Sequence, residues 1–158
     1  MNVLVIDVGT SSMRGILFDH HGKSLTQKQE LYQATYMENS WVEQDPADWE
    51  NALYSIIRQV TEEAGKMNEE IGAISITSQR SSVIPVDEKI QPLSNAIMWQ
   101  DKRTNHLCEM LENLNDKVFS LCGSRVNPVF SASKMTWIRE ERPEIYEKTY
   151  KFLSLIHI

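Results

Sequence analysis

The stretch Asp7-Val8-Gly9-Thr10-Ser11-Ser12-Met13-Arg14 brings together the groups that polyphosphate chemistry needs. An acid closes an apolar run, a glycine permits a tight reversal, three hydroxyl residues follow, and an arginine emerges on the next segment. Turn N–H groups and hydroxyls donate to phosphate oxygens, and a guanidinium adds a fixed, charged fork. Thr10, Ser11, Ser12 and Arg14 are therefore candidate phosphate-binding residues. Asp7 is a candidate metal residue, acting on Mg²⁺ through water because that ion keeps much of its hydration shell. An Asp-x-Gly by itself is a common turn in which the acid only caps the backbone. The added hydroxyls and Arg14 favour the phosphate reading.

A second set of candidates lies further along. Arg80 follows a β-branched run directly, where a guanidinium can grip two hydroxyls of one molecule. Trp99 offers a flat apolar wall for a carbon backbone, and Gln79 and Ser81 add short polar contacts. A few placed polar groups against an apolar wall is how small-molecule sites fix orientation. The structural alternatives are a surface ion pair for Arg80, ordinary core for Trp99, and satisfied amides for Gln79 and Gln100.

Elements must hold these residues in place. Strands are predicted over 2–7, 13–19 and 23–32, with a turn at His20-His21-Gly22, which reads as an antiparallel meander. Asp45-Pro46-Ala47-Asp48 marks a helix start. Trp49, Leu53, Ile56, Ile57, Val60 and Ala64 then recur at helical spacing up to a stop at Gly65. A fourth strand is predicted over 71–77. Residues 83–86 and 95–99 read as a hairpin around a turn at 87–89, and 101–114 reads as a helix with Leu107, Leu111 and Leu114 on one face. A helix over 131–142 ends at Pro143, which can begin another, and 151–153 starts a last strand. The order is α/β, a mixed sheet opening with a βββ meander followed by α-β and helices. The absence of GxGxxG after the first strand speaks against a dinucleotide-binding fold.

Composition excludes several classes. With 158 residues, 41% hydrophobic and 24% charged, the chain reads as a soluble globular domain. No apolar run approaches the roughly 20 residues of a bilayer span, and no signal peptide precedes the first strand, so the expectation is cytoplasmic, without a membrane partner. The net charge of −6 with scattered Lys and Arg argues against a nucleic-acid partner. Cys108 and Cys122 read as free thiols. The four histidines lack a second ligand at metal spacing.

Several segments in one order resemble a known family. The 7–14 turn is similar to the first phosphate motif of the ribonuclease H-like, actin-like ATPase fold, and in particular of FGGY-type carbohydrate kinases. Trp41-Val42-Glu43-Gln44-Asp45-Pro46 resembles their WVEQDP segment. Ile76-Thr77-Ser78-Gln79-Arg80 resembles the strand end that presents a substrate-binding Gln-Arg. Residues 95–104, Asn95 to Thr104, resemble the NAIVWQCRRT type of segment in glycerol kinases, and residues 130–138 resemble the SGTKxxW helix.

The resemblance implies an ATP- and Mg²⁺-dependent transfer of phosphate to a sugar or polyol hydroxyl, with 1–158 a truncated N-terminal domain of a two-domain kinase. It places the catalytic aspartate and the adenine pocket downstream, in an absent C-terminal domain, so the fragment alone is expected to be inactive. Glycerol kinases carry Glu where this chain has Ser81, and Tyr where it has Val129. A site built for one hydroxyl pattern discriminates strongly against another. That favours a ketose or longer polyol, with glycerol kinase and a non-catalytic sugar- or nucleotide-binding regulator as alternatives. A nuclease on the same meander would need more carboxylates near Asp7, and the 71–77 strand ends in a basic tip instead. An unpaired strand over 151–153 would invite self-association, giving a homodimer.

Overall fold

The computed structural model describes residues 1–157. In chain order it contains β1 (Asn2–Val8), β2 (Ser12–Phe18), β3 (Ser24–Leu31), β4 (Thr35–Tyr36), β5 (Val42–Gln44), α1 (Pro46–Lys66), β6 (Ile71–Ser78), β7 (Ile84–Val86) and β8 (Ala96–Ile97). Then follow α2 (Asn105–Met110), α3 (Asn115–Cys122), α4 (Ser131–Glu141), α5 (Pro143–Tyr146) and β9 (Lys151–Leu153). These elements fall into two compact units. One comprises Met1–Gln33 and Pro46–Gln79, the other Ala34–Asp45 and Arg80–Ile158.

The first unit is a sheet in the order β3-β2-β1-β6, with α1 packed on β2 and β3. β1 and β2, and β2 and β3, pair antiparallel as the meander predicts. β6 then joins β1 in parallel, the relation a crossover through a helix produces. Alternation sends Leu4, Ile6 and Val8 to one face, where they are buried with Trp49, Ala52, Ile56, Val60 and Ala64 of α1. Gly15 lets the helix ride close, since an added Cβ would fall inside the radius of Ile56 Cγ2. Gly65 does not stop α1. Its chain end is closed one turn on: Asn68 takes φ 56°, its N–H donates to the Gly65 carbonyl, and that of Glu69 donates to Ala64 at 2.9 Å. Asn68 thus fills the left-handed position where glycine is usual.

The second unit holds two small antiparallel sheets, β4-β5-β8 and β7-β9. Its core gathers Val83, Ile97, Leu107, Trp137 and Ile138, with Trp41, Met135, Ile145 and Phe152 against it. The segments 83–86 and 95–99 do fold back antiparallel around the turn after Val86, through bridges at Val86–Pro92 and Val83–Ile97, while β7 also pairs β9 and β8 pairs β5. Two expectations are corrected here. The 101–114 helix begins only at Asn105 and breaks after Met110. The reason lies in Asp101, whose carboxylate takes the N–H groups of Val42 and Arg103 and holds that backbone out of helical register. Strand β9 is not left bare, because β7 is its neighbour through Ile84–Leu153, Pro85–Phe152 and Val86–Lys151. No helix among the described residues is long and apolar enough to cross a membrane.

Candidate functional site

In the first unit the candidate phosphate turn sits at the carboxyl ends of the parallel pair β1 and β6, the position where open α/β sheets receive ligands. Asp7 lies on the face away from α1 and is exposed. It stands opposite Arg14 on β2 and Thr77 on β6, so Arg14, Asp7 and Thr77 form one row across three strands.

The turn itself is tied down on several sides. The N–H of Gly9 donates to the Ser12 carbonyl at 2.9 Å, and a Cβ at position 9 would lie 3.0 Å from that oxygen. The Tyr32 N–H donates to Ser11, and its phenol donates to the Gly9 carbonyl at 2.8 Å. The Gln79 N–H donates to Val8, while the Gln79 Oε1 accepts from Thr10 Oγ1 at 3.1 Å. Burial, and then the negative charge of Asp7, push the Tyr32 phenol above its ordinary range. It therefore stays a protonated donor near neutrality. Tyr32 was not among the sequence candidates; its only signal is an aromatic residue one position past the end of β3.

This end of the sheet gathers three unspent donors, a condition that Gln44, Trp49 and Ser154 also meet singly. Arg14 Nε, Ser78 Oγ and Gln79 Nε2 are buried and have no partner among the described residues. A buried polar group left unpaired costs about 1–3 kcal/mol, and a phosphate oxygen is the kind of acceptor that would satisfy them. Ser11 is exposed and Ser12 half-buried. The donor set thus fits a nucleotide phosphate. One carboxylate, Asp7, fits a hydrated Mg²⁺ that takes most of its ligands from water and phosphate. Among the described residues no cluster of three His, Cys, Asp or Glu side chains could hold a metal by itself.

Arg80, Ser81 and Trp99 belong to the second unit. Arg80 is exposed. Ser81 has φ 68°, a left-handed conformation that costs a non-glycine residue of order 1 kcal/mol and is found at functional turns. Val83 and Ile97 exchange backbone hydrogen bonds, and Ser82 Oγ meets Met98 Sδ at 3.8 Å. Ser81 and Trp99 therefore come next to each other along the two segments. Trp99 is 37% exposed, so it presents a ring to solvent rather than filling the core. Gln100 lends its amide to the Tyr36 hydroxyl at 3.4 Å, a structural tie.

The same unit holds a buried charge cluster that the sequence candidates do not include. Arg103 Nε and Nη2 each donate to Asp101 at 2.9 Å, and Nη2 also donates to Glu43 at 2.8 Å. The guanidinium lies 4.1 Å from the Trp41 ring and 4.7 Å from that of Trp137. Next to it, fully buried Lys134 donates to the carbonyls of Pro128 (2.5 Å) and Val129 (2.9 Å). Burial pulls the Lys134 ammonium down to about 8, against the opposing charge of Asp101. The signal available in sequence was charged residues set among apolar ones in the Trp41–Glu43, Asp101–Arg103 and Lys134–Trp137 segments. A cavity of about 770 Å³ in this unit, bordered by Leu107, Met110 and Phe130, includes none of the predicted site residues in its lining.

Residues 2–157 match the FGGY family of carbohydrate kinases, N-terminal domain. A glycerol kinase of Mycoplasmoides gallisepticum is 35% identical over 155 residues, which is 98% of this chain and 30% of that protein. One from a Marinomonas species is 38% identical over 139 residues, covering 86% and 28%. Among solved structures, Plasmodium falciparum glycerol kinase with ADP superposes with a TM-score of 0.86 at 28% identity, over 93% of this chain and 30% of that one. A xylulose kinase of Brucella ovis gives 0.90 at 24% identity over 98% and 32%, a likeness of fold. The chain spans about a third of the length of the proteins it matches.

Proposed function

From the premise that this chain belongs to the FGGY family of carbohydrate kinases, we propose that it is the N-terminal part of an enzyme moving a phosphoryl group from ATP to a sugar or polyol hydroxyl. The observation that carries the proposal is the set of unspent donors, Arg14 Nε, Ser78 Oγ and Gln79 Nε2, at the carboxyl ends of β1 and β6. Thr10, Ser11, Ser12 and the turn N–H groups bind and orient phosphate oxygens, and Arg14 opposes their charge. Asp7 holds the water shell of Mg²⁺, which when bound neutralises phosphate charge. Arg80 and Ser81 grip substrate hydroxyls, Trp99 lines the carbon chain, and Gln79 links the turn to the strand end from which Arg80 departs.

This chain supplies positioning and charge but no base to take the proton from the acceptor hydroxyl. The purified polypeptide is therefore inactive in a coupled ADP-release assay, and MgATP is bound without turnover. An amide-resolved NMR titration tests the binding role. MgATP should shift the resonances of Gly9, Thr10, Ser11 and Ser12, and shifts confined to other segments would refute it.

Glycerol is a specific second reading, because the curated relatives cited above are glycerol kinases. Ser81 in place of Glu, and Val129 in place of Tyr, support a ketose or longer polyol. Titrating glycerol and a ketose in parallel against the Trp99 indole resonance separates the two.

A further inference from the structure

We propose that Lys134 is a positioning residue for the acceptor pocket, fixing the turn that sets Val129 beside Trp99. The proposal rests on the reading of Arg80, Ser81 and Trp99 as a hydroxyl-binding wall, and all of these residues lie in the second unit. Residues 127–130 lead into α4 at the surface, where water could satisfy their carbonyls. The first turn of α4 takes three of them instead. Lys134 Nζ donates to the Pro128 and Val129 carbonyls at 2.5 and 2.9 Å, and Ser133 Oγ donates to that of Phe130 at 3.2 Å. Asn127 closes the turn from the other side. Its Oδ1 accepts from the Val129 N–H at 2.9 Å, and its carbonyl accepts from the Phe130 N–H at 3.1 Å. Val129 therefore has both backbone groups held while its side chain is exposed.

Burying an ammonium is costly unless its donors are matched, and a turn that only had to link α3 to α4 would not need one. The cost is intelligible when the place of Val129 matters. The same frame reaches Trp99. The Asp101 N–H donates to the Met98 carbonyl at 3.1 Å, its carboxylate is held by Val42 and Arg103, and its charge acts on Lys134. Thr104, fully buried, shares a hydrogen bond of 2.9 Å with Ser133. The segment carrying Trp99 and the turn carrying Val129 are thus joined twice, by contacts made wholly within this chain. The groups that face Lys134 are Asp101, Arg103 and, on α2, Cys108. Burial brings the ammonium to about 8, so raising the pH through that value removes its charge and weakens both of its hydrogen bonds.

The test titrates xylulose and glycerol against the Trp99 indole resonance of the wild-type chain and of Lys134→Met. Affinity for the tighter of the two should fall about tenfold in the variant, while the shifts that MgATP causes at Gly9 to Ser12 stay the same. A merely structural loss would lower both. In the wild type the same affinity should fall about threefold between about pH 7 and pH 9. It should stay level in Lys134→Met, which separates Lys134 from Cys108. Without any ligand, amide exchange at Val129 and Phe130 should quicken about tenfold in the variant, with that of Ile97 unchanged. Ser133→Ala, a milder change, should show the same pattern at about threefold and serves if Lys134→Met does not fold. Equal sugar affinity, a wild type indifferent to pH, or unaltered exchange at Val129 overturns the proposal alone. If exchange quickens as expected but neither probe shifts Trp99, the pocket reading fails and the proposal falls with it.

Discussion

Arg14 and Arg103 are the same residue type put to opposite uses. Arg103 has its Nε and Nη2 donors taken by Asp101 and Glu43 and its ring-facing sides set over Trp41 and Trp137, so it is committed to the fold. Arg14 is opposite an acid as well, yet no ion pair among the described residues joins it to Asp7, and its Nε is buried without a partner. A buried guanidinium that is fully matched fixes structure; one with spare donors is held ready for an anion. What separates the two is the inventory of their hydrogen bonds.

The largest effect should come from breaking the matched cluster. Asp101→Ala leaves the Arg103 charge buried and short of its main partner, which costs about 3–5 kcal/mol. Urea unfolding should show a loss of unfolding free energy of that size, and a small loss would mean that the cluster is less sealed than its contacts indicate. Lys134 belongs to the same structural region and gives a smaller, pH-dependent signal. Its folded pKa is lowered to about 8, from 10.5 for the free side chain. Between those values the unfolded chain binds a proton that the folded chain does not, so stability should rise as pH climbs from 8 towards 10.5. The rise attributable to Lys134 is on the order of 1–3 kcal/mol, and it should vanish in Lys134→Met when the two proteins are compared at each pH. Tyr32→Phe removes one hydrogen bond to the Gly9 carbonyl and should cost about 1 kcal/mol by thermal melting. Arg14→Ala should change stability least, within about 0.5 kcal/mol. A large loss there would class Arg14 with Arg103 and erase the contrast.

The first unit was largely readable from sequence. Its strands and α1 are long, their apolar periods are clean, and their contacts follow chain order. The second unit resisted for physical reasons. β4, β5 and β8 are two or three residues each, too short to show a period. α3 was missed because Phe119 and Leu121 are 52% and 78% exposed and no residue of that helix is buried, so no apolar face marked it. The fold-back after Val86 could be read from its turn, but not that β7 also takes β9, more than sixty residues away, as a partner. The site divides likewise. Asp7, Gly9 and Arg14 are close in the chain and could be read as a group. The Arg103–Glu43 contact joins residues 60 apart, and only folding reveals it.

The role given to the turn is tested most directly by calorimetric titration of MgATP into the wild-type chain and into Arg14→Ala, with both proteins shown to melt at the same temperature. Loss of the guanidinium should weaken nucleotide binding about tenfold, equivalent to about 1.4 kcal/mol, while the fold is untouched. Equal affinity in the two proteins would contradict the assignment of Arg14 and the unspent donors around it to a phosphate.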